Sequence, residues 1–190
     1  MKALLVLSRA IDALNERIGH LVYWLILAMV LISSANAISR YALNMASNAW
    51  LEMQWYLFAA VFLFCSGYTL LHNEHIRIDV VSGMFSRRTR LWIDVFGTVF
   101  FLLPMSLYIM WSSWPPFMNA WTSGEVSASA GGLIRWPARL MIPIGFFLLS
   151  LQGVSELIKR IAQLRGLLPE AMEEHEDPAL ELLKAQEAAK

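Results

Sequence analysis

The chain has 190 residues, 57% hydrophobic and 16% charged, and its acids and bases balance to a net charge of zero. A water-soluble domain is nearer a quarter charged, so the deficit points to an integral membrane protein, and the neutral balance gives no bulk attraction to nucleic acid. The single cysteine, Cys65, lies inside an apolar run, which excludes a disulfide framework.

Met1 to Leu7 imitates the start of a signal peptide. Arg9 and Asp12 cut the apolar run short and no cleavage site follows, so the segment reads as retained. Leu4, Leu7, Ile11, Leu14 and Ile18 recur at alternating spacings of three and four, which places them on one face of a helix. Arg9, Asp12, Asn15, Glu16 and Arg17 fall on its other sides. The pattern predicts an amphipathic interfacial helix over residues 1–19, lying on the membrane surface.

A four-span membrane domain is predicted over residues 20–165, with spans near 21–38, 50–71, 91–111 and 137–158. Each has roughly the 20 residues that cross a hydrocarbon core. Tyr23 and Trp24 suit the first interface of span one. Ser33, Ser34 and Asn36 are polar positions near its far end, of the kind that bond to a neighbouring helix. Arg40 ends span one, and Asn48 is a plausible N-cap for span two, which opens on Trp50 and Glu52. A carboxylate is favoured in a first helical turn. The hairpin brings Arg40 and Glu52 to one membrane surface, and the expectation is that they form an ion pair.

The connection from His72 to Arg90 is short and charged. In span three, Asp94 occupies the first turn, and Pro104 predicts a kink because it has no N–H to give. The longest connection, residues 112–136, combines Pro115-Pro116, Gly131-Gly132 and several tryptophans, and reads as an irregular loop held at the interface. Trp136-Pro137 opens span four. Residues 166–190 form an acidic cytoplasmic tail. Its one short helical pattern is too brief to persist alone, so disorder is expected.

Ten basic residues fall on the side of the termini (Lys2, Arg9, Arg17, Arg77, Arg87, Arg88, Arg90, Lys159, Arg160, Arg165) and three on the other (Arg40, Arg135, Arg139). The positive-inside rule then puts both termini in the cytoplasm and the 112–136 connection outside.

The densest polar cluster is His72, Glu74, His75, Arg77 and Asp79. Its acids and bases can satisfy one another, and Ile76 and Ile78 alternate with Arg77 and Asp79, so a salt-linked turn outranks a metal site. His20 and His72, at the cytoplasmic ends of spans one and two, leave a haem-binding anchor of a respiratory enzyme as the alternative class. Glu52, Asp94, Arg139 and Glu156 all sit near span ends, and no span has the glycine-rich break that builds a substrate site. The chain reads as a helper subunit, neither an enzyme nor a self-sufficient carrier.

The residues also carry a family pattern: Arg40-Tyr41, Trp50 with Glu52, Tyr68-Thr69-Leu70-Leu71, and His75-Ile76-Arg77-Ile78-Asp79-Val80. Glu125-Val126-Ser127 and Gly131-Gly132-Leu133, running into Trp136-Pro137, complete it. The sequence resembles, over about residues 11–165, the small membrane subunit of tripartite ATP-independent periplasmic (TRAP) transporters. Where that family usually has two adjacent acids after the tryptophan, Glu52 is followed by Met53. The resemblance implies a subunit without cofactor in the bacterial inner membrane, whose large multi-spanning partner carries an organic acid and the coupling sodium ions. A soluble periplasmic binding protein would deliver the substrate. The implied role of this chain is to brace the large subunit and help dock the delivery protein. Ser33, Asn36, Arg40, Trp50, Glu52, His75, Arg77 and Asp79 are the candidate interface and structural residues.

Overall fold

The computed structural model describes residues 2–44, 47–72 and 86–167. His75, Arg77 and Asp79 lie outside these residues, as does the acidic tail from 168 onward. The elements are α1 (Lys2–Ala42), α2 (Asn48–Leu71), α3 (Arg87–Gly97), a π-helical turn (Thr98–Leu102), α4 (Leu103–Ser123) and α5 (Trp136–Leu164). The segment from α3 to α4 is one unbroken rod. Among the described residues the fold is all-α, with four helices long and apolar enough to cross a membrane.

The hub of the bundle is α5, which packs on α1, α2 and α4 and also touches α3 and the π turn. Its apolar window is 44% buried, whereas the other three helices bury 6–11% of theirs, so their outer faces are left to lipid or partners. Small residues set the close approaches, as they do where helices associate without a hydrophobic driving force. A Cβ on Gly145 would lie 2.6 Å from Leu63 Cβ and 2.9 Å from the Leu63 carbonyl oxygen. Only glycine lets the α2 backbone come this near α5.

Two expectations change in form. Pro104 does not simply kink its span: the turn before it widens, with Leu103 N–H donating to the Thr98 carbonyl five residues back. Proline offers no N–H to the Phe100 carbonyl and its ring crowds that group, so a wider turn relieves both defects. The expected irregular connection from 112 is helical as far as Ser123, with Pro115 and Pro116 inside α4. The Pro116 carbonyl is satisfied from outside, accepting from Arg139 Nη1 at 3.0 Å. The chain turns only at Gly124, whose φ of 62° is the left-handed conformation glycine adopts without strain.

The N-terminal stretch differs more. Residues 1–19 and span one are not separate elements, since α1 runs 41 residues without a break. At about 1.5 Å per residue it is roughly 60 Å long, twice a bilayer's hydrocarbon thickness. Its buried stripe is Ser8, Ile11, Asn15, Gly19 and Val22. Only Ile11 belongs to the predicted apolar face; Leu4, Leu7 and Leu14 are exposed. The helix is rotated so that polar side chains enter the bundle, because the face of α5 that meets it is itself polar.

Candidate functional site

Three residues on one face of α2, spaced four apart, hold the loop that joins α4 to α5. Asn48 Nδ2 donates to the Ala130 carbonyl at 3.0 Å and Tyr56 Oη to the Ile134 carbonyl at 3.1 Å. Between them Glu52 is buried, accepting from the Leu133 backbone N–H at 2.7 Å and from the Ser127 hydroxyl. A negatively charged acceptor makes both hydrogen bonds stronger than neutral ones.

The loop is pre-shaped for this grip. Val126 and Ile134 form an isolated antiparallel bridge, with Ser127 N–H to the Leu133 carbonyl and Arg135 N–H to the Glu125 carbonyl, both at 2.9 Å. Gly132 sits where a Cβ would lie 2.9 Å from Glu52 Oε1 and closer still to the Ser127 side chain. Glu125 then ties the base of the loop to α5, pairing with Arg135 at 3.2 Å and Arg139 at 2.9 Å. The product is a fixed lip projecting from one end of the bundle. Its Ser129-to-Gly131 tip and its Val126 and Ile134 side chains are exposed.

The expected Arg40–Glu52 ion pair does not form. Glu52 is instead engaged by the loop, through the Leu133 N–H and the Ser127 hydroxyl. Arg40 is exposed and forms no ion pair among the described residues. Ser33 is exposed and Asn36 half-buried, and among the described residues neither side chain bonds to another helix. Trp50 is half exposed at the start of α2. Of the described candidates, then, only Glu52 belongs to the lip. Asn48, Tyr56, Ser127 and Leu133 were missed as a set. The i, i+4, i+8 spacing of Asn48, Glu52 and Tyr56 was the available signal.

A second polar cluster closes the other end. Asp12 Oδ1 accepts from Ser155 Oγ at 2.6 Å and Gln152 Nε2 at 2.9 Å, and Lys159 Nζ lies 3.3 Å from Asp12 Oδ2. Gln152 also takes a bond from Asn15 Nδ2 at 2.9 Å, and Ser8 and Ser155 share a hydroxyl bond of 2.7 Å. Glu156 pairs with Lys159 at 2.5 Å, and Arg160 meets Asp94 at 3.4 Å. Thus α1 and α3 are both fastened to α5 by side chains.

His20 and His72 converge on a single residue of α1. His72 Nε2 lies 2.8 Å from Glu16 Oε2, and His20 Nδ1 lies 2.8 Å from the Glu16 carbonyl. Each ring therefore has a hydrogen-bond partner on α1. Among the described residues no group of three or more His, Cys, Asp or Glu is placed to hold a metal ion.

The described residues thus form four helices long and apolar enough to cross a membrane, with a braced loop at one end and a cluster of paired polar side chains at the other. Residues 29–163 match the family pattern of the DctQ component of tripartite ATP-independent periplasmic transporters. The match covers most of the chain, which therefore belongs to that family: it is the small permease component of such a transporter, not an enzyme. No curated protein and no solved structure matches the chain.

Proposed function

We propose that the chain is the fixed membrane scaffold of a sodium-coupled secondary transporter for organic acids. In this reading it sits in the bacterial inner membrane with both termini cytoplasmic. It braces a large permease subunit that carries substrate and sodium, and its lip helps dock the periplasmic substrate-binding protein.

The observation that supports this most is how the described ionic groups of the bundle are used. Asp12, Lys159, Glu156, Arg160 and Asp94 pair with one another at helix junctions, as do Glu125, Arg135 and Arg139. Groups held this way fasten helices; transport of a carboxylate needs cationic or polar groups that can exchange partners. The lip end carries fewer basic residues than the far end, so the positive-inside rule supports an external lip. Ser33, Asn36 and Arg40 are available for contacts with the large subunit, and His75, Arg77 and Asp79 remain candidates for the same role.

The test is a mild-detergent pull-down of the tagged chain from its native membrane, paired with substrate uptake. A larger multi-spanning protein recovered in equal amount, and sodium-dependent uptake of an organic acid lost on deletion of this chain, are the expected results. Recovery of redox subunits, or of no stoichiometric partner, would overturn the proposal.

A further inference from the structure

The four rods bury their polar groups unequally. Near the middle of the bundle, α2 satisfies its hydroxyls within itself: Ser66 Oγ donates to the Leu63 carbonyl and Thr69 Oγ1 to the Cys65 carbonyl, each at 2.7 Å. The phenol of Tyr23 on α1, though exposed, reaches Tyr68 Oη at 3.4 Å. The exposed tryptophans of α2, Trp50 and Trp55, lie in its opening turns at the lip end, and beyond them the exposed Phe58 and Phe62 are purely apolar. A surface of this kind is at home in hydrocarbon.

The outer face of α4 is built differently. Tyr108 and Trp111 are neighbours on one face, 72% and 78% exposed. Among the described residues neither the phenol O–H nor the indole N–H has a hydrogen-bond partner. The nearest charged residues along the rod are Asp94 and Glu125, so both rings sit about 20 Å or more from one charge and the other along the helix axis. Arg139 of α5 reaches the Pro116 carbonyl, which leaves Trp111 nearer that charged layer and Tyr108 nearer the middle of the uncharged stretch, where lipid offers no acceptor and an unpaired polar group is costly. Pro115 and Pro116 add to this, because the N–H groups that a helix would aim at the Trp111 and Ser112 carbonyls are missing. Beside these groups lies an open groove of about 520 Å³ between α4 and α5, lined by Trp111, Trp114, Pro143 and Phe147 among others. Among the described elements α4 packs chiefly on α5, and Tyr108 and Trp111 stay exposed on its outer face.

We infer that the Tyr108–Trp111 face and its adjoining groove receive a transmembrane helix of the large permease subunit, with an acceptor on that helix taking the Tyr108 hydroxyl. A protein helix supplies both things the face lacks, side chains to fill the groove and an acceptor at mid-span depth. The inference rests on the proposed scaffold role and adds a mid-span contact on α4 and α5 to the α1 candidates named above.

A photo-crosslinking amino acid placed singly at positions 108, 111, 58 and 62 of the full chain, co-expressed with its large subunit in native membranes, tests it. Adducts to the large subunit from 108 and 111, with little from 58 and 62, are expected. Adducts from the α2 positions alone, adducts to a second copy of this chain, or no protein adduct while the large subunit still copurifies, would each overturn the assignment. Failure of the unmodified chain to retain a large subunit would instead sink the scaffold role itself. Tyr108→Phe keeps the ring and removes the hydroxyl. It should lower retention of the large subunit about threefold or more, the scale of one interhelical hydrogen bond in a membrane, and Phe62→Leu should leave retention unchanged. Equal retention by both variants counts against the acceptor.

Discussion

The two ends of the bundle are fastened by opposite means. At the lip end, side chains of α2 hold backbone: Asn48, Glu52 and Tyr56 bind the main chain of a loop that belongs to neither helix they would otherwise join. At the far end, side chains hold side chains: Asp12 and Asn15 of α1 meet Gln152, Ser155 and Lys159 of α5. The first arrangement fixes the shape of an exposed loop and contributes little to which helices pack together. The second fixes which helices pack and leaves no exposed shape behind. A scaffold needs both, a stable bundle and a surface of defined form.

The largest effect in this comparison should come from Asp12→Leu. It removes the acceptor that Ser155, Gln152 and Lys159 share across α1 and α5, and leaves Gln152 and Lys159 only their Glu156 partner within α5. A loss of about 1.5–3 kcal/mol, the scale of a hydrogen bond to a charged group, is expected. Thermal unfolding in detergent should show a lowered midpoint while hydrogen exchange at the lip keeps its native order relative to the bundle. Equal loosening of the lip would mean the two ends are not independent.

Glu52→Gln should act the other way round. The bundle should keep its unfolding midpoint, but the Leu133 amide and the neighbouring loop should exchange hydrogen markedly faster, because a neutral amide is a weaker acceptor than a carboxylate. Gly132→Ala should give a milder version, since the added methyl presses on Ser127 and Glu52 without removing a charge. A midpoint shift in either variant as large as that of Asp12→Leu would break the distinction drawn between the ends.

The smallest effect is expected for Arg40→Ala. With Glu52 engaged by the loop, this change should leave exchange at Leu133 unaltered and should not couple to Glu52→Gln in a double-mutant cycle. Measurable coupling would restore the ion pair that the structure replaces.

Much of the fold was legible because hydrocarbon imposes length and composition. Apolar runs of about 20 residues bounded by charge can hardly be anything but spans, and Trp136-Pro137 stands at the start of α5. The lip was half legible. Gly124 to Gly132 announced a turn, and Glu52 stood out as a carboxylate opening a span, but its partner was misread. Arg40 was the nearest opposite charge across the hairpin, whereas the actual donors are a backbone N–H and a serine some 80 residues away. Backbone donors leave no trace in the alphabet of side chains.

By itself, then, the sequence determined that this is a four-span helical membrane protein, from residue types and spacings along one dimension, and its match over residues 29–163 gave the DctQ family. Only the tertiary structure decided three other things: that Pro115 and Pro116 stay helical, that α1 turns Ser8 and Asn15 inward while Leu7 and Leu14 face out, and that Glu52 clamps a loop. Periodicity names the residues that share a face, but what that face meets depends on the polarity of the helix opposite, and here α5 offers Gln152, Ser155 and Lys159 where the membrane surface was expected.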